Sequence, residues 1–214
     1  MEASGDAGKT APATKGSGMS FVDKLKKSFS RPSDLFIAAK SEQGIKGALI
    51  FHALFSLILL VLLYTVGFSL LAAFALIAPE LGPLMAFGSF LGIVFIIGIW
   101  IVSIVGNFVG AGIYHIFVVL FGGKNGYSNT YKAVCYSIAP GALLGWIPVV
   151  NFMGGIYSIY LLVKGISILQ DMTPRRALLT VLVPIIVAVV IVGVFVAAFF
   201  TLGVLNPASF TQNY

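Results

Sequence analysis

Two short segments contain residue types that could bind a phosphate group. "ASGDAGKT" at residues 3–10 resembles a P-loop, in which glycine amides and a lysine hold phosphates, but Ala3 stands where the motif requires glycine. In "GGKNGYSNTY" at residues 122–131 the lysine directly follows a glycine pair, so the GxxxxG spacing of a P-loop is missing. We therefore expect a tight turn at 122–131 and no nucleotide site in either segment.

The side chains needed for hydrolytic or metal chemistry are sparse and scattered. Cys135 is the single cysteine, so neither an intrachain disulfide nor a multi-thiolate metal site is available. None of the seven acidic residues lies inside a long apolar run, which leaves an intramembrane hydrolase without a general acid or base. The acidic residues are Glu2, Asp6, Asp23, Asp34, Glu42, Glu80 and Asp171. These patterns predict no enzymatic activity, no cofactor and no metal.

A few polar residues do lie within the apolar runs. His52 and His115 could bind a metal or relay protons, but no Cys, Asp or Glu is near either one in sequence, which favours ordinary interhelical hydrogen bonds. Asn107 must also find a partner in lipid, with an ion pathway as the alternative. We expect one closed interhelical polar cluster, formed by Asn107, His115, Tyr136 and Tyr157.

The composition points to a membrane protein. Hydrophobic residues make up 59% of the 214 residues and charged residues only 9%, and the mean hydropathy is +1.04. A soluble globule needs more polar surface than this. The net charge of +6 therefore indicates membrane orientation rather than binding of nucleic acid.

Charged residues divide the sequence into four uncharged runs, at 47–79, 81–123, 133–163 and 177–214. About 20 apolar residues cross the hydrocarbon core, so the first and last runs hold one helix each. The second run could hold one long helix or two short ones, and the third could hold one helix or a hairpin of short legs that turns at "PVVN" (148–151).

The positions of lysine and arginine decide between these alternatives. Eight of the thirteen basic residues precede the first apolar run, which predicts a cytoplasmic N-terminus. The other five also face the cytoplasm if the second run is one helix and the third a hairpin. The predicted fold is an all-α integral membrane protein, a five-helix bundle with its C-terminus outside. Its membrane domain covers 47–205, with spans near 47–78, 88–121, 131–147, 152–169 and 177–203.

The segments that flank the membrane domain have different predicted roles. Residues 1–20 should form a disordered tail, residues 21–46 interfacial helices and residues 206–214 a short external tail. In "FVDKLKKSF" the apolar Phe21, Leu25 and Phe29 share one helical arc, and the lysines occupy the remainder. These are Lys24, Lys26 and Lys27. We expect an anchor lying on the anionic cytoplasmic leaflet, with a solvated basic tail as the alternative.

Small residues recur at four-residue spacing in the second apolar run. Gly88 and Gly92, and then Gly106 and Gly110, would allow helices to approach closely, within the bundle or between copies in a homo-oligomer.

Most of the chain resembles the Yip family of Ypt- or Rab-interacting multi-pass membrane proteins. The similarity covers about residues 33–203 and rests on "TYKAVCYSIAP", "WIP", "GGIYSIYLLVKGI" and "TPRRA" in that order. The matching positions are Tyr136, Pro140, Pro148, Tyr157, Tyr160 and Gly165. "SDLFIA" at 33–38 is only a remnant of the acidic, aromatic "DLYGP" element of the eukaryotic branch, which argues against binding of a Rab GTPase and for a prokaryotic member.

The resemblance implies five spans, a cytoplasmic N-terminus and a role in membrane organisation or partner binding, without catalytic residues. We therefore expect a non-enzymatic scaffold or adaptor in membrane organisation or a trafficking-like process, located in the inner membrane of a prokaryote. The expected partners are the lipid bilayer and a protein of unknown identity, with no nucleic acid. The alternative is a small-solute permease or channel, although buried ionisable groups are scarce.

Overall fold

A computed structural model describes residues 19–144 and 148–201 of the chain. The expected external tail lies outside these residues, as does the expected disordered tail apart from Met19 and Ser20. The described part contains seven α-helices and a short 3₁₀ helix, Pro79–Leu81, and no strand. The α-helices are α1 (Phe21–Ser30), α2 (Pro32–Ser41), α3 (Lys46–Ala75), α4 (Gly82–Leu120), α5 (Gly126–Leu144), α6 (Pro148–Leu169) and α7 (Pro174–Thr201). The all-α prediction is confirmed.

Four segments in the described part are long and apolar enough to cross a membrane. They are Lys46–Ala75, Met85–Leu120, Phe152–Leu169 and Pro174–Thr201. The chain is therefore an integral multi-pass membrane protein whose apolar helices contact the lipid bilayer. The remaining predicted span, near 131–147, corresponds to α5, which is not in this set and carries Lys132 near its start.

The buried core lies at one end of the helix bundle. Burial in α3 is confined to residues 48–55, and in α7 to residues 177–184. Beyond these stretches both helices expose large apolar side chains, beginning with Ile58 in α3 and Ile186 in α7. The bundle thus has a packed half, into which α1 and α2 also dock, and a half whose apolar side chains face lipid.

Helix α6 begins earlier than the sequence suggested. The "PVVN" residues were expected to form the turn, but they are the first helical turn of α6, which begins at Pro148. Proline is favoured at this position because its missing N–H would be unpaired there in any case and its φ angle already suits a helix. Helix α5 ends at Leu144, and the residues between the two helices lie outside the described part.

The glycines that allow close packing are mostly not the predicted ones. A Cβ on Gly92 would lie 2.9 Å from Tyr64, whereas Gly88, Gly106 and Gly110 have no such neighbour within 4 Å. One close approach between α5 and α6 is at Gly141, where a Cβ would meet Ser158 Oγ and the Gly154 backbone. The four-residue spacing of the glycines predicted close helix packing, but it could not indicate which face of α4 another helix covers.

The turn predicted at 122–131 is present only up to Gly126, where α5 begins, and glycine is required there for its backbone angles. Gly122 and Gly126 have φ values of +95° and +76°, in the left-handed region that other residues rarely adopt. Gly123 is needed for space instead, because a Cβ there would collide with Val118.

Candidate functional site

Lys24, which the sequence placed on the polar side of α1, is buried at the centre of an ionic network. Its Nζ lies 2.7 Å from Glu42 Oε1 and donates a hydrogen bond of 2.8 Å to the Tyr136 hydroxyl. That hydroxyl donates to Glu42 Oε2 at 2.6 Å, which closes a triangle. Lys24 belongs to α1, Glu42 caps the C-terminus of α2, and Tyr136 lies in α5.

The triangle is largely shielded from solvent. Exposure is 5% for Lys24 and 0% for Tyr136, and the Glu42 side chain is 15% exposed. The Lys24 ammonium also lies 4.9 Å from the centroid of the Tyr136 ring, a cation–π distance. Gly47 makes room for the pair, since a Cβ there would lie 3.1 Å from Glu42 Oε2. Buried charges are tolerated when they are paired and hydrogen-bonded in this way.

A second buried lysine fastens the end of α2 to α5. Lys132, in α5, is 2% exposed, and its Nζ donates to the backbone carbonyls of Ala39 and Glu42. It also lies 3.4 Å from Asn129 Oδ1. A cation at the C-terminus of a helix satisfies carbonyls that have no intrahelical partner and complements the helix dipole. Lys24, Glu42, Lys132 and Tyr136 are called the Lys24 network below.

Apolar contacts extend the same docking surface. Phe36 of α2 packs against Gly165 of α6, where a Cβ would lie only 2.7 Å from the Phe36 ring. On α1, the Phe21 ring lies 5.2 Å from the ring of Phe51 in α3. The Tyr157 hydroxyl of α6 is within 2.9 Å of the Ser28 carbonyl and 3.1 Å of the Phe29 carbonyl at the end of α1. Helices α1 and α2, called the N-terminal helix pair below, are thus docked on α3, α5 and α6.

This arrangement differs from the surface anchor expected for α1. Phe21 and Leu25 are partly buried against the protein core rather than turned toward lipid, and only Phe29 stays exposed, at 43%. Of the three lysines, Lys26 is exposed and Lys27 half-exposed, whereas Lys24 points inward. The sequence pattern separates apolar from polar side chains on α1. It could not reveal that Lys24 has a carboxylate and a hydroxyl as partners.

The four residues of the expected polar cluster occupy two different sites. Asn107 Nδ2 lies 3.0 Å from Cys135 Sγ, and His115 Nδ1 lies 2.9 Å from Thr130 Oγ1, so both bind α5. Tyr136 and Tyr157 instead bind the N-terminal helix pair. No hydrogen bond joins the two sites among residues 19–144 and 148–201. Cys135 and Tyr136 are neighbours in α5, but their side chains leave the helix about 100° apart and therefore meet different partners.

A second polar network, which the sequence analysis missed, ties together the loops at the packed end. The Asn125 side chain donates to the Leu169 carbonyl at 2.9 Å and to Asp171 Oδ2 at 2.7 Å. Gln170 accepts from the Asn125 backbone amide and donates to the Gly126 carbonyl, both at 2.9 Å. Asn125 and Gln170 each flank an apolar helix, where an amide can satisfy backbone groups that the helix ends leave unpaired.

Asp171 extends this network to α2. Its carboxylate pairs with Lys40, and the Lys40 ammonium and the Asn125 amide hold the pKa of Asp171 below its ordinary value. Asp171 also has a φ of +51°, a conformation that aspartate tolerates better than most residues. Unlike the Lys24 network, this ion pair is open to solvent, with side-chain exposures of 42% and 61%.

The positions shared with the Yip pattern concentrate around the hairpin. Tyr136, Tyr157 and Gly165 contact the N-terminal helix pair. Pro140 lies near the end of α5, and Pro148 begins α6. Tyr160 faces outward at 48% exposure, with its hydroxyl 3.0 Å from Lys164 Nζ.

In a comparison with protein-family models, the Yip1 domain matches residues 26–197. The chain belongs to the Yip1 domain family. This confirms the resemblance inferred from the sequence. The search of curated proteins and the search of solved structures each returned no match. The match begins two residues after Lys24 and includes Glu42, Lys132 and Tyr136, so most of the Lys24 network lies within the Yip1 domain.

The polar contacts of the Lys24 network stabilise the docking of the N-terminal helix pair. The polar atoms of the Lys24 network bind one another and the end of α2. Cys135 is 1% exposed and lies beside the Asn107 amide, so reagents from water do not reach it. The geometry holds the N-terminal helix pair in a defined position on the membrane bundle.

Proposed function

We propose that this Yip1-domain protein is a non-enzymatic scaffold or adaptor that positions a partner protein at the membrane surface. We place it in the inner membrane of a prokaryote and assign it to membrane organisation or a trafficking-like process. The observation that supports the proposal is the Lys24 network, because it uses buried ionisable residues to fasten two helices rather than to form an open reactive site.

The outer face of the N-terminal helix pair offers a surface for a protein partner. Exposed charges of both signs lie on it, such as Asp23, Lys26 and Asp34. Ile37, at 60% exposure, and Val22, at 51%, add apolar area. Complementary charge around apolar anchors is typical of protein interfaces, whereas an anionic lipid surface would favour a uniformly basic face.

The orientation is part of the same proposal. The basic residues favour a cytoplasmic N-terminus and an external C-terminus, which requires an odd number of crossings. There are five crossings if both legs of the hairpin pass through the bilayer, as the sequence suggested, and three if the hairpin turns back inside it.

Site-specific photo-crosslinking in native membranes tests the proposed surface. A photoreactive residue at Ile37 should give a discrete protein adduct, and the same residue at Phe95, a lipid-facing position that is 72% exposed, should not. Glu42→Gln should weaken the Ile37 adduct without lowering expression, since the partner surface depends on docking. An adduct that is absent at Ile37, or equal at both sites, would contradict the scaffold proposal.

Reconstitution into liposomes addresses the permease alternative. A scaffold should leave the efflux of small entrapped solutes at the level of protein-free vesicles. Efflux that depends on the protein and is lost on substitution of Asn107, or of Ser137, which is buried in α5, would favour a permease.

A further inference from the structure

Three basic side chains lie near one another where the loop after α4 meets the start of α7. Lys124 lies in that loop, and Arg175 and Arg176 lie in the first turn of α7; all three are exposed. The two segments are in contact, because a Cβ on Gly122 would lie 3.4 Å from a guanidinium nitrogen of Arg176. Lys124, Arg175 and Arg176 are called the α7 basic patch below.

A hydrogen bond and close packing hold the two segments together. The Asn125 side chain donates to the Leu169 carbonyl at 2.9 Å, and a Cβ on Gly123 would lie 3.1 Å from the Met172 sulfur. Lys124 lies between Gly123 and Asn125 in the sequence, and the two arginines follow Met172 by three and four positions. The three cations are therefore kept near one another although like charges repel.

The α7 basic patch has no carboxylate partner within the part of the chain that the structure describes. After Glu80, Asp171 is the only acidic residue of the sequence. Its carboxylate already pairs with Lys40 and accepts a hydrogen bond of 2.7 Å from the Asn125 amide. An anion from outside the chain therefore fits the patch by charge.

Exposed apolar side chains adjoin the patch on both helices. Leu178 and Leu179, at 43% and 48% exposure, lie three and four positions after Arg175 and therefore on the same face of α7. Ile116 and Leu120, at 61% and 71% exposure, lie four positions apart on one face at the end of α4. Cations at the end of an exposed apolar surface indicate the level at which hydrocarbon gives way to headgroups.

We propose that the α7 basic patch binds the phosphate of an anionic phospholipid, whose acyl chains lie along the exposed apolar side chains of α4 and α7. Arginine presents paired N–H donors that fit phosphate oxygens, and lysine adds a point charge. A soluble anion would leave the apolar side chains without a partner, whereas a phospholipid matches the charge and the apolar surface together. The patch is uniformly basic, as an anionic lipid surface favours, unlike the mixed charges of the N-terminal helix pair. Binding at this site does not require a protein partner on that pair.

Lipid titration of the purified full-length protein in a neutral detergent, read by native mass spectrometry, tests this site. Phosphatidylglycerol should bind more tightly than phosphatidylcholine, whose ammonium neutralises the phosphate. Each basic residue at an anionic surface contributes about fivefold to binding, so Arg175→Gln with Arg176→Gln should weaken the binding of phosphatidylglycerol about 25-fold. Arg175→Lys with Arg176→Lys should keep most of the affinity, since both charges are retained.

Lys26→Gln with Arg31→Gln is the matched control, because it removes two exposed charges on and beside α1. Its affinity for phosphatidylglycerol should stay within a few-fold of wild type, and unchanged melting temperatures verify the fold of each variant. Equal binding of the two lipids, or equal affinity losses in the two glutamine variants, would overturn the proposal. Soluble glycerol phosphate that binds as tightly as phosphatidylglycerol would also overturn it, because the acyl chains would then contribute nothing.

Photo-crosslinking in liposomes gives a second readout within the bilayer. In an equal mixture of phosphatidylglycerol and phosphatidylcholine, a photoreactive residue at Leu178 should give lipid adducts enriched in phosphatidylglycerol. The same residue at Phe95, which is 72% exposed and lies in the first half of α4, should give adducts in the ratio of the mixture. Adducts in that ratio at both positions would contradict a lipid site at the start of α7.

Discussion

Removing the charge of Glu42 should release the N-terminal helix pair from the membrane bundle. Glu42→Gln keeps a side-chain oxygen that can accept from the Tyr136 hydroxyl, but it leaves the Lys24 ammonium without a counter-charge. Lys24 is 5% exposed, so water cannot readily replace the lost carboxylate. The substitution should therefore act on docking much more than on the fold of the remaining helices.

The expected size follows from the burial of the pair. Breaking a buried ion pair by removing one partner costs about 3–5 kcal/mol. Because Glu42 retains 15% exposure and Gln preserves one hydrogen bond, we expect a value near the lower end, about 3 kcal/mol. At about 1.4 kcal/mol per tenfold change, undocked molecules should become on the order of a hundredfold more frequent.

Limited trypsin digestion measures this population directly. Lys26 lies in α1 and Arg31 lies between α1 and α2, and both become good substrates once the pair undocks. The cleavage rate follows the open population when opening and closing are fast. Lys40→Met, which breaks an exposed ion pair instead, is the matched control and should change the rate only a few-fold. Lys24→Met combined with Glu42→Leu should restore much of the protection, since apolar replacement removes both charges together.

The result that would refute this reasoning is equal cleavage of Glu42→Gln and wild type at the same trypsin concentration. It would mean that docking depends on the apolar contacts alone. An equally large increase in Lys40→Met would instead show that burial of the pair makes no difference.

Three further predictions concern packing, topology and pH. Gly165→Leu should force Phe36 aside and destabilise the protein by about 1–3 kcal/mol in detergent unfolding. Gly106→Leu, which has open space around it, should be close to neutral. Greater destabilisation by Gly106→Leu than by Gly165→Leu would contradict the packing. In a Cys135→Ser background, Lys124→Cys should be shielded from an impermeant thiol reagent in intact cells, whereas Gln212→Cys should react. Labelling at position 124 would overturn the proposed orientation. Since the folded-state pKa of Asp171 is lowered, its contribution to stability should be complete above the unfolded pKa of about 3.9 and lost as pH falls through the folded value. Asp171→Asn should remove this part of the pH dependence of the melting temperature. The same pH dependence in Asp171→Asn and wild type would contradict the prediction.

The all-helical fold and the membrane class could be predicted because they depend on local properties. In lipid, the backbone N–H and C=O groups of an uncharged apolar run must be hydrogen-bonded within the protein. A helix achieves this whatever its neighbours are. The glycine turn at 122–126 was equally local, since the positive φ angles of Gly122 and Gly126 belong to the turn itself. Family membership could also be inferred, because the Yip pattern is a linear order of short motifs.

The site was harder to predict because its contacts join residues that are far apart in sequence. Lys24 and Tyr136 are 112 positions apart, and an amphipathic pattern counts every lysine as polar surface. Lys132 gave a weak signal, a charge followed by a long apolar run, but nothing in the sequence indicated that its partner would be the end of α2. The placement of Asn107 and Tyr136 in separate sites depends on which face of α5 each partner helix covers.

Hydrogen exchange of the wild-type chain in lipid nanodiscs tests the central claim most directly, namely that the N-terminal helix pair is docked in a fixed position. Amides of α1 and α2 near Lys24 and Phe36 should exchange much more slowly than those of an isolated peptide covering residues 20–44, because docked helices open rarely. In Glu42→Gln this protection should fall while that of residues 107–118 in α4 is unchanged. Exchange in wild-type α1 and α2 at the rate of the isolated peptide would contradict the account.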